Sequence, residues 1–142
     1  MADETSYQRM KKFLDECEAG HDMVKPLKKD CVVYTDFYGD SREYELVRIG
    51  NRCVLRPRQS KKAELYFGFS QGSVDYILEP YPKTVHELMN RFFDCLLEKD
   101  AGKKAVLKIR VSLIEAVGKG YLKMLSLGGA RGLTVLTRIG EI

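Results

Sequence analysis

Apolar residues recur along this chain with two periods, one typical of helices and one typical of strands. Between positions 7 and 17 an apolar residue returns every three or four positions, which predicts a first helix. Thr5 and Gln8 just ahead have the spacing of a capping box, and Gly20 is expected to end the helix. Residues 21–30 are mainly polar and carry Pro26, so they are predicted to be a connector.

Strand-forming segments follow the connector. Residues 31–38, 43–49, 52–56 and 63–69 are rich in β-branched and aromatic side chains or alternate between apolar and polar. Gly39-Asp40 and Gly50-Asn51 lie between them and favour tight turns. Residues 104–111 alternate again, with basic side chains on one face, and residues 133–139 are predicted to be a last strand.

Three helices are predicted in the second half of the chain, over residues 71–79, 84–99 and 112–127. The helix over 84–99 has the strongest signal, because Thr84 and Glu87 form a second capping box before a wide apolar face. Gly118 and Gly120 weaken the last helix by about 1 kcal/mol each relative to alanine. Packing in the core accounts for such wide faces, but they are also expected where helices are held off a sheet to line a ligand pocket.

The order of these elements predicts the class of fold. Consecutive strands joined by tight turns, with helices gathered later, favour an α+β protein with an antiparallel-dominated sheet. Each strand has one apolar face, so helices are expected to cover one side. The length of 142 residues fits a single domain, with residues 1–30 as N-terminal helix and connector and residues 31–142 as the core.

Composition points to an intracellular protein. The chain is 44% hydrophobic and 31% charged, which is ordinary for a globular domain. No apolar run reaches the length of a membrane span, and the acidic N-terminus does not have the form of a signal peptide. Its four cysteines include no CxxC pair, which indicates reduced and mostly buried thiols. A cytoplasmic location is therefore expected.

The charge is unevenly distributed. Residues 1–51 hold 11 acidic and 8 basic side chains, whereas residues 52–142 hold 9 acidic and 16 basic ones. A run of basic residues with no acid between them is the candidate contact with an anionic surface: Arg52, Arg56, Arg58, Lys61 and Lys62. Its alternatives are a solvated hairpin end, a nucleic-acid contact with Tyr66 as the nearest stacking residue, and a weak attraction to anionic headgroups.

The sequence has few residues arranged for catalysis. His86 is placed near a helix start and His21 in the connector, and neither is paired in sequence with a nucleophile. The spacing of His, Cys, Asp and Glu does not indicate a zinc site. The glycine-rich segments 68–73 and 128–132 lack the Walker and dinucleotide patterns. We therefore predict no catalytic residue and no metal.

A larger pattern resembles a known family. Residues 63–78 read AELYFGFSQGSVDYIL, the capped helix at Thr84 follows, and residues 104–111 read KAVLKIRV before Leu113. This order, with residues 31–56 in the place of an opening hairpin, resembles the sterol carrier protein 2 (SCP2) domain over roughly residues 63–127. The resemblance implies a five-stranded sheet covered by helices, with a tunnel that binds sterols, fatty acids, acyl-CoA or phospholipids, no cofactor and no catalysis.

Together these observations predict a lipid-binding protein that encloses an apolar ligand between sheet and helices. The predicted pocket residues are Phe67, Phe69, Ile77, Leu88, Phe92, Leu96, Leu113, Val117, Tyr121 and Met124. The basic run is expected to contact anionic headgroups or a membrane surface weakly. Two alternatives stay open: a basic nucleic-acid-binding module, and a regulatory or dimerisation domain whose wide helix face meets a partner or a second copy.

Overall fold

A five-stranded sheet with the order β3-β2-β1-β4-β5 forms the centre of the molecule. The computed structural model describes residues 5–61, 64–129, 131 and 134. The strands are β1 (Val32–Phe37), β2 (Tyr44–Ile49), β3 (Arg52–Pro57), β4 (Leu65–Phe69) and β5 (Ala105–Ile109). The β1–β4 pair is parallel and the other three pairs are antiparallel. The predicted α+β class and antiparallel-dominated five-stranded sheet are confirmed.

Helices cover one face of this sheet. They are α1 (Ser6–Glu16), α2 (Glu18–Val24), α3 (Gln71–Leu78), α4 (Val85–Leu96), α5 (Leu113–Lys119) and α6 (Tyr121–Leu125), followed by a 3-10 turn, Ser126–Gly128. Helices α1 and α2 contact β3, α4 contacts β5, and α2 contacts α4. The inner face of the sheet therefore lies under α1, α2 and α4.

Strand alternation separates the inner face from the outer one. Leu46 pairs with Leu55, and Thr35 pairs with Phe67, so mainly apolar side chains meet on the inner face. One residue along, Glu45 pairs with Arg56 on the outer face. Because side chains in a strand point alternately to opposite faces, this register fixes which residues can reach the helices.

The N-terminal segment confirms one prediction and corrects another. The Thr5 hydroxyl oxygen accepts a hydrogen bond from the Gln8 amide, and the Gln8 side chain accepts one from the Thr5 amide, at 3.1 and 2.8 Å. The predicted capping box is therefore present. The first helix ends at Glu16, however, and α2 occupies part of the segment predicted to be a connector. Met23 and Val24 are buried on α2, so this part of the segment packs against the core and is not an exposed polar connector.

The prediction of a single helix over residues 112–127 is wrong. Gly120 has φ of +90°, a left-handed conformation that ends α5, and α6 begins at the next residue. The amide of Lys28 donates to the carbonyl of Lys119 at 3.1 Å, which places the segment before β1 against this break. The break interrupts the helix after Lys119, and α5 buries only Ala116 whereas α6 buries Tyr121, Met124 and Leu125, so the two helices do not form one continuous helical face.

Some predicted features fall outside the described residues. These are Lys62 and Ala63 ahead of β4, and residues 133–139 apart from Thr134. Within the described ranges, every helix is too short or too polar to cross a lipid bilayer.

On the outer face, Glu45 holds the segment after β3 against the sheet. Its side chain is 1% exposed and accepts hydrogen bonds of 2.9 Å from Arg56 Nε and from the amides of Gln59 and Ser60. Burial alone would raise the pKa of Glu45, but the two amides and the Arg56 guanidinium outweigh burial and hold the pKa below its ordinary value of 4.5.

Replacing Glu45 by glutamine is expected to lower the free energy of unfolding by about 2–3 kcal/mol at pH 7, because one partner of a buried ion pair is lost. The folded-state pKa lies below the unfolded one, so the carboxylate stabilises the protein above the unfolded pKa. That stabilisation is lost as pH falls through the folded pKa.

Urea unfolding across a pH series measures this effect. The difference between wild type and Glu45→Gln should shrink below about pH 4. Glu43→Gln is the matched control, since Glu43 is also paired with an arginine, Arg58, but is 55% exposed. It should change stability by less than about 1 kcal/mol. A difference for Glu45→Gln that is independent of pH would contradict this role for the carboxylate.

Candidate ligand-binding site

An apolar cavity lies between the inner face of the sheet and the covering helices. Its volume is about 30 Å³. The walls are contributed by the first, second, third and fourth helices and by all strands except β5. The lining residues are Met10, Leu14, Met23, Thr35, Leu46, Leu55, Phe67, Phe69, Ile77, Leu88, Met89 and Phe92.

Aromatic rings form one wall of this cavity. The ring centroids of Phe67 and Phe92 are 4.8 Å apart, and those of Phe69 and Phe92 are 5.8 Å apart. Phe67 and Phe69 meet edge to face at 6.2 Å. These two residues are separated by one position in β4 and therefore face the same side, where α4 places Phe92 over them.

The wall offers a ligand little to hydrogen-bond. Thr35 is its one polar side chain, and the Thr35 hydroxyl donates to the Val33 carbonyl at 3.2 Å. In the described part of the chain, every buried side-chain nitrogen or oxygen has a hydrogen-bond partner. A polar ligand would lose hydrogen bonds to water on entering without regaining them, so the cavity selects for apolar groups.

The cavity is small. A volume of about 30 Å³ holds one or two water molecules, and pockets for drug-sized ligands are roughly ten times larger. Three of the residues that line it are methionines, Met10, Met23 and Met89. Methionine is unbranched, with three rotatable bonds beyond Cα, so its side chain adapts to differently shaped neighbours. Among the described residues, the space between sheet and helices is therefore almost filled, and they do not form the open tunnel that is expected from the sequence.

Half of the predicted pocket residues line this cavity: Phe67, Phe69, Ile77, Leu88 and Phe92. Leu96 is buried but lies beside a surface groove along β5. Tyr121 and Met124 are fully buried outside the cavity. Leu113 and Val117 are exposed, so their predicted place in the interior is corrected. The reason is the way α5 packs, since it buries Ala116 and leaves those two residues on its outward side.

Sequence reasoning missed the lining residues from α1, α2, β1, β2 and β3. The helical period of Met10 and Leu14 and the strand alternation of Leu46 and Leu55 mark all four as inward-facing. No local pattern says that α1 packs over β3, because that contact joins segments about 40 residues apart. The sequence therefore predicts that these residues are buried, but it does not predict that they line the same cavity.

Tyr121 belongs to a polar cluster that ties α6 to the sheet. Its hydroxyl accepts from the Val32 amide at 3.2 Å and donates to Glu64 Oε1 at 2.9 Å. Lys119 forms an ion pair with the other oxygen of Glu64, and burial raises the pKa of the Tyr121 hydroxyl. The tyrosine stays protonated and acts as a donor, which indicates a structural role.

Two side chains of the basic run already have partners within the protein. Arg56 pairs with Glu45, and Arg58 pairs with Glu43 at 2.6 Å while its guanidinium lies 4.5 Å from the centroid of the Tyr34 ring. Arg52 and Lys61 are exposed, and Lys62 is outside the described residues. The run is therefore not one continuous cationic surface.

Groups with catalytic potential are held in structural contacts. His21 Nδ1 accepts a hydrogen bond of 2.9 Å from the Cys53 amide. Burial raises the pKa of the Cys53 thiol, and burial raises that of Cys95 to about 12, so both remain protonated thiols at neutral pH. Across the described ranges, three or more His, Cys, Asp or Glu side chains never come together in a group that could hold a metal ion.

Comparisons with known proteins give one structural likeness. Neither the family models nor the curated proteins include a match to this chain. A solved structure titled "UbiJ-SCP2 Ubiquinone synthesis protein" is similar at 10% sequence identity, with a TM-score of 0.45, and the likeness covers 82% of each chain.

Proposed function

We propose that this protein binds an apolar ligand between the inner face of its sheet and helices α1, α2 and α4, and that it acts by binding and not by catalysis. The observation that carries the proposal is the almost wholly apolar wall of the interior cavity, in which the one hydroxyl, that of Thr35, already has a partner. The ligand classes implied by the resemblance to SCP2 domains are fatty acids, acyl-CoA, sterols and phospholipids.

The small volume favours one of these classes. A rigid sterol needs a wide space before it can enter, whereas an unbranched acyl chain can extend a narrow space by displacing side chains one at a time. The side chains of Met10, Met23 and Met89 are the ones best suited to move, because each can adopt another rotamer without moving its helix. An acyl chain, free or as part of a larger lipid, is therefore the proposed ligand.

The proposal that the protein does not act as a catalyst is supported by the thiol pKa values and hydrogen bonds of the candidate catalytic groups. Cys53 and Cys95 have raised thiol pKa values, and Nδ1 of His21 is occupied by a backbone amide. The nucleic-acid alternative is weakened by the ion pairs of Arg56 and Arg58, since a phosphate would compete with carboxylates already bound there.

Native mass spectrometry of freshly purified protein tests the proposal, followed by delipidation and titration with a fluorescent fatty acid. We expect a co-purified lipid of one acyl class, removal of it on delipidation, and saturable uptake of the probe at one site per chain. Protein that carries no lipid and takes up no probe after delipidation would refute the proposed function.

A further inference from the structure

The first turns of α5 carry three aliphatic side chains that the described residues of the protein leave uncovered. Leu113 is 71% exposed, Ile114 is 85% exposed and Val117 is 60% exposed. They share one side of a short helix that Ser112 caps and that contributes Ala116 to the core. Contiguous exposed apolar side chains on a small protein mark a contact surface more often than scattered ones do.

Basic side chains outnumber acidic ones in the segments of chain next to this aliphatic patch. Residues 104–123 contain five basic side chains and one acidic one, but the Lys104 ammonium donates to the carbonyls of Leu96 and Glu98. Lys108 and Arg110, at the end of β5, are exposed and lie 5.7 and 5.6 Å from the centroid of the Tyr66 ring. Lys123 on α6 is also exposed, whereas Lys119 is engaged with Glu64.

We propose that the aliphatic patch, Leu113, Ile114 and Val117, docks the protein on the surface of an anionic phospholipid bilayer. Aliphatic side chains with cations in the adjoining segments of chain match the boundary between acyl chains and negatively charged headgroups. The exposed side chains of Lys108, Arg110 and Lys123 would contact the headgroups while the aliphatic side chains enter below them.

A protein partner fits this patch less well. Energetically dominant residues in protein interfaces are enriched in Trp, Tyr and Arg, and Leu and Val are under-represented among them. The patch has no aromatic member. A second copy of the chain would bring the same positive charge against Lys108 and Arg110, which opposes self-association.

The docking surface differs from the one that the sequence predicted. The basic run at the β2–β3 hairpin was the expected headgroup contact, but two of its arginines are held by Glu43 and Glu45. The hairpin does expose one aliphatic residue, Ile49, at 50%. Ile49 therefore provides a matched control for Ile114 on the surface that the proposal rejects.

Co-sedimentation with vesicles tests the inference. The probes are vesicles of phosphatidylcholine with about one-third phosphatidylserine, and vesicles of phosphatidylcholine alone. Wild type is expected to bind the anionic vesicles, to release them as salt is raised, and to bind neutral vesicles weakly. Ile114→Ser should reduce binding to anionic vesicles at least about tenfold, since a deeply inserted side chain is lost. Ile49→Ser should leave it unchanged, and both variants should unfold like wild type.

Three results would overturn the inference. They are failure of wild type to bind anionic vesicles, equal binding by Ile114→Ser, and a concentration-dependent dimer that Ile114→Ser abolishes. The first excludes the bilayer, the second excludes the aliphatic patch as the surface that contacts it, and the third assigns the patch to a second copy. The vesicle assay does not depend on the interior cavity, so its failure is distinguishable from a failure of fatty-acid uptake.

Discussion

Replacing Gly120 by alanine is expected to lower the free energy of unfolding by about 3 kcal/mol, measured by urea denaturation. Two effects add. The left-handed backbone at φ +90° disfavours any residue with a Cβ, and a Cβ here would overlap the carbonyl oxygen of Pro26. That oxygen belongs to the backbone and can move away only if the segment before β1 shifts. The same shift would disturb the contact between Tyr121 and Glu64.

Alanine substitutions at two other glycines separate the effect of backbone conformation from that of the overlap with Pro26. Gly118 lies inside α5 with open space around it, and alanine there should raise stability by up to about 1 kcal/mol. Gly39 has φ of +87° and also has open space, so alanine there should lose about 1–2 kcal/mol through backbone conformation alone. If Gly120→Ala lost no more than Gly39→Ala, the contact with Pro26 would not contribute.

Replacing Met89 by alanine is expected to lower the free energy of unfolding of the ligand-free protein by about 2–5 kcal/mol and to strengthen fatty-acid uptake. Met89 is fully buried and lines the interior cavity, so its removal enlarges a space that is already apolar. A ligand that fills the enlarged space would return part of the stability, about 2.7 kcal/mol at a concentration of 100 times Kd. Urea denaturation with and without the fatty acid measures both effects.

Met124→Ala is the matched control for that substitution. Met124 is also fully buried and also lies on a helix, α6, but it is not part of the cavity wall. It should lose a similar amount of stability without any gain in uptake. Equal uptake by the two variants would mean that any loosening of the core admits the probe, and that the cavity is not a specific site.

Much of the fold follows from local patterns. Thr5 and Thr84 mark helix starts because a threonine hydroxyl satisfies an amide that the helix leaves free, and both residues cap helices in the structure. Alternation identifies the strands because one face of each must be buried. Gly39 marks a turn because it adopts a positive φ at no steric cost. Such signals depend on a few neighbouring residues, so these helix starts, strands and turns can be predicted from the sequence alone.

The remaining features depend on contacts between distant segments. The sequence predicts Gly120 to be a weak point within one helix, but whether a glycine is tolerated or ends the helix depends on its surroundings, here Pro26 and Lys28. The outward direction of Leu113 and Val117 also depends on how α5 packs Ala116 against the core. The wall of the cavity likewise depends on α1 and α2 lying over β3. None of these contacts has a local signature.

Methyl NMR of protein with ¹³C-labelled methionine methyl groups tests the proposed site most directly. The chain has five methionines, of which Met10, Met23 and Met89 line the cavity and Met124 is buried elsewhere. On titration of delipidated protein with a fatty acid, the resonances of Met10, Met23 and Met89 are expected to shift together and to saturate, while that of Met124 stays in place. Saturable binding that leaves those three resonances unmoved would place the ligand outside the interior and contradict the proposal.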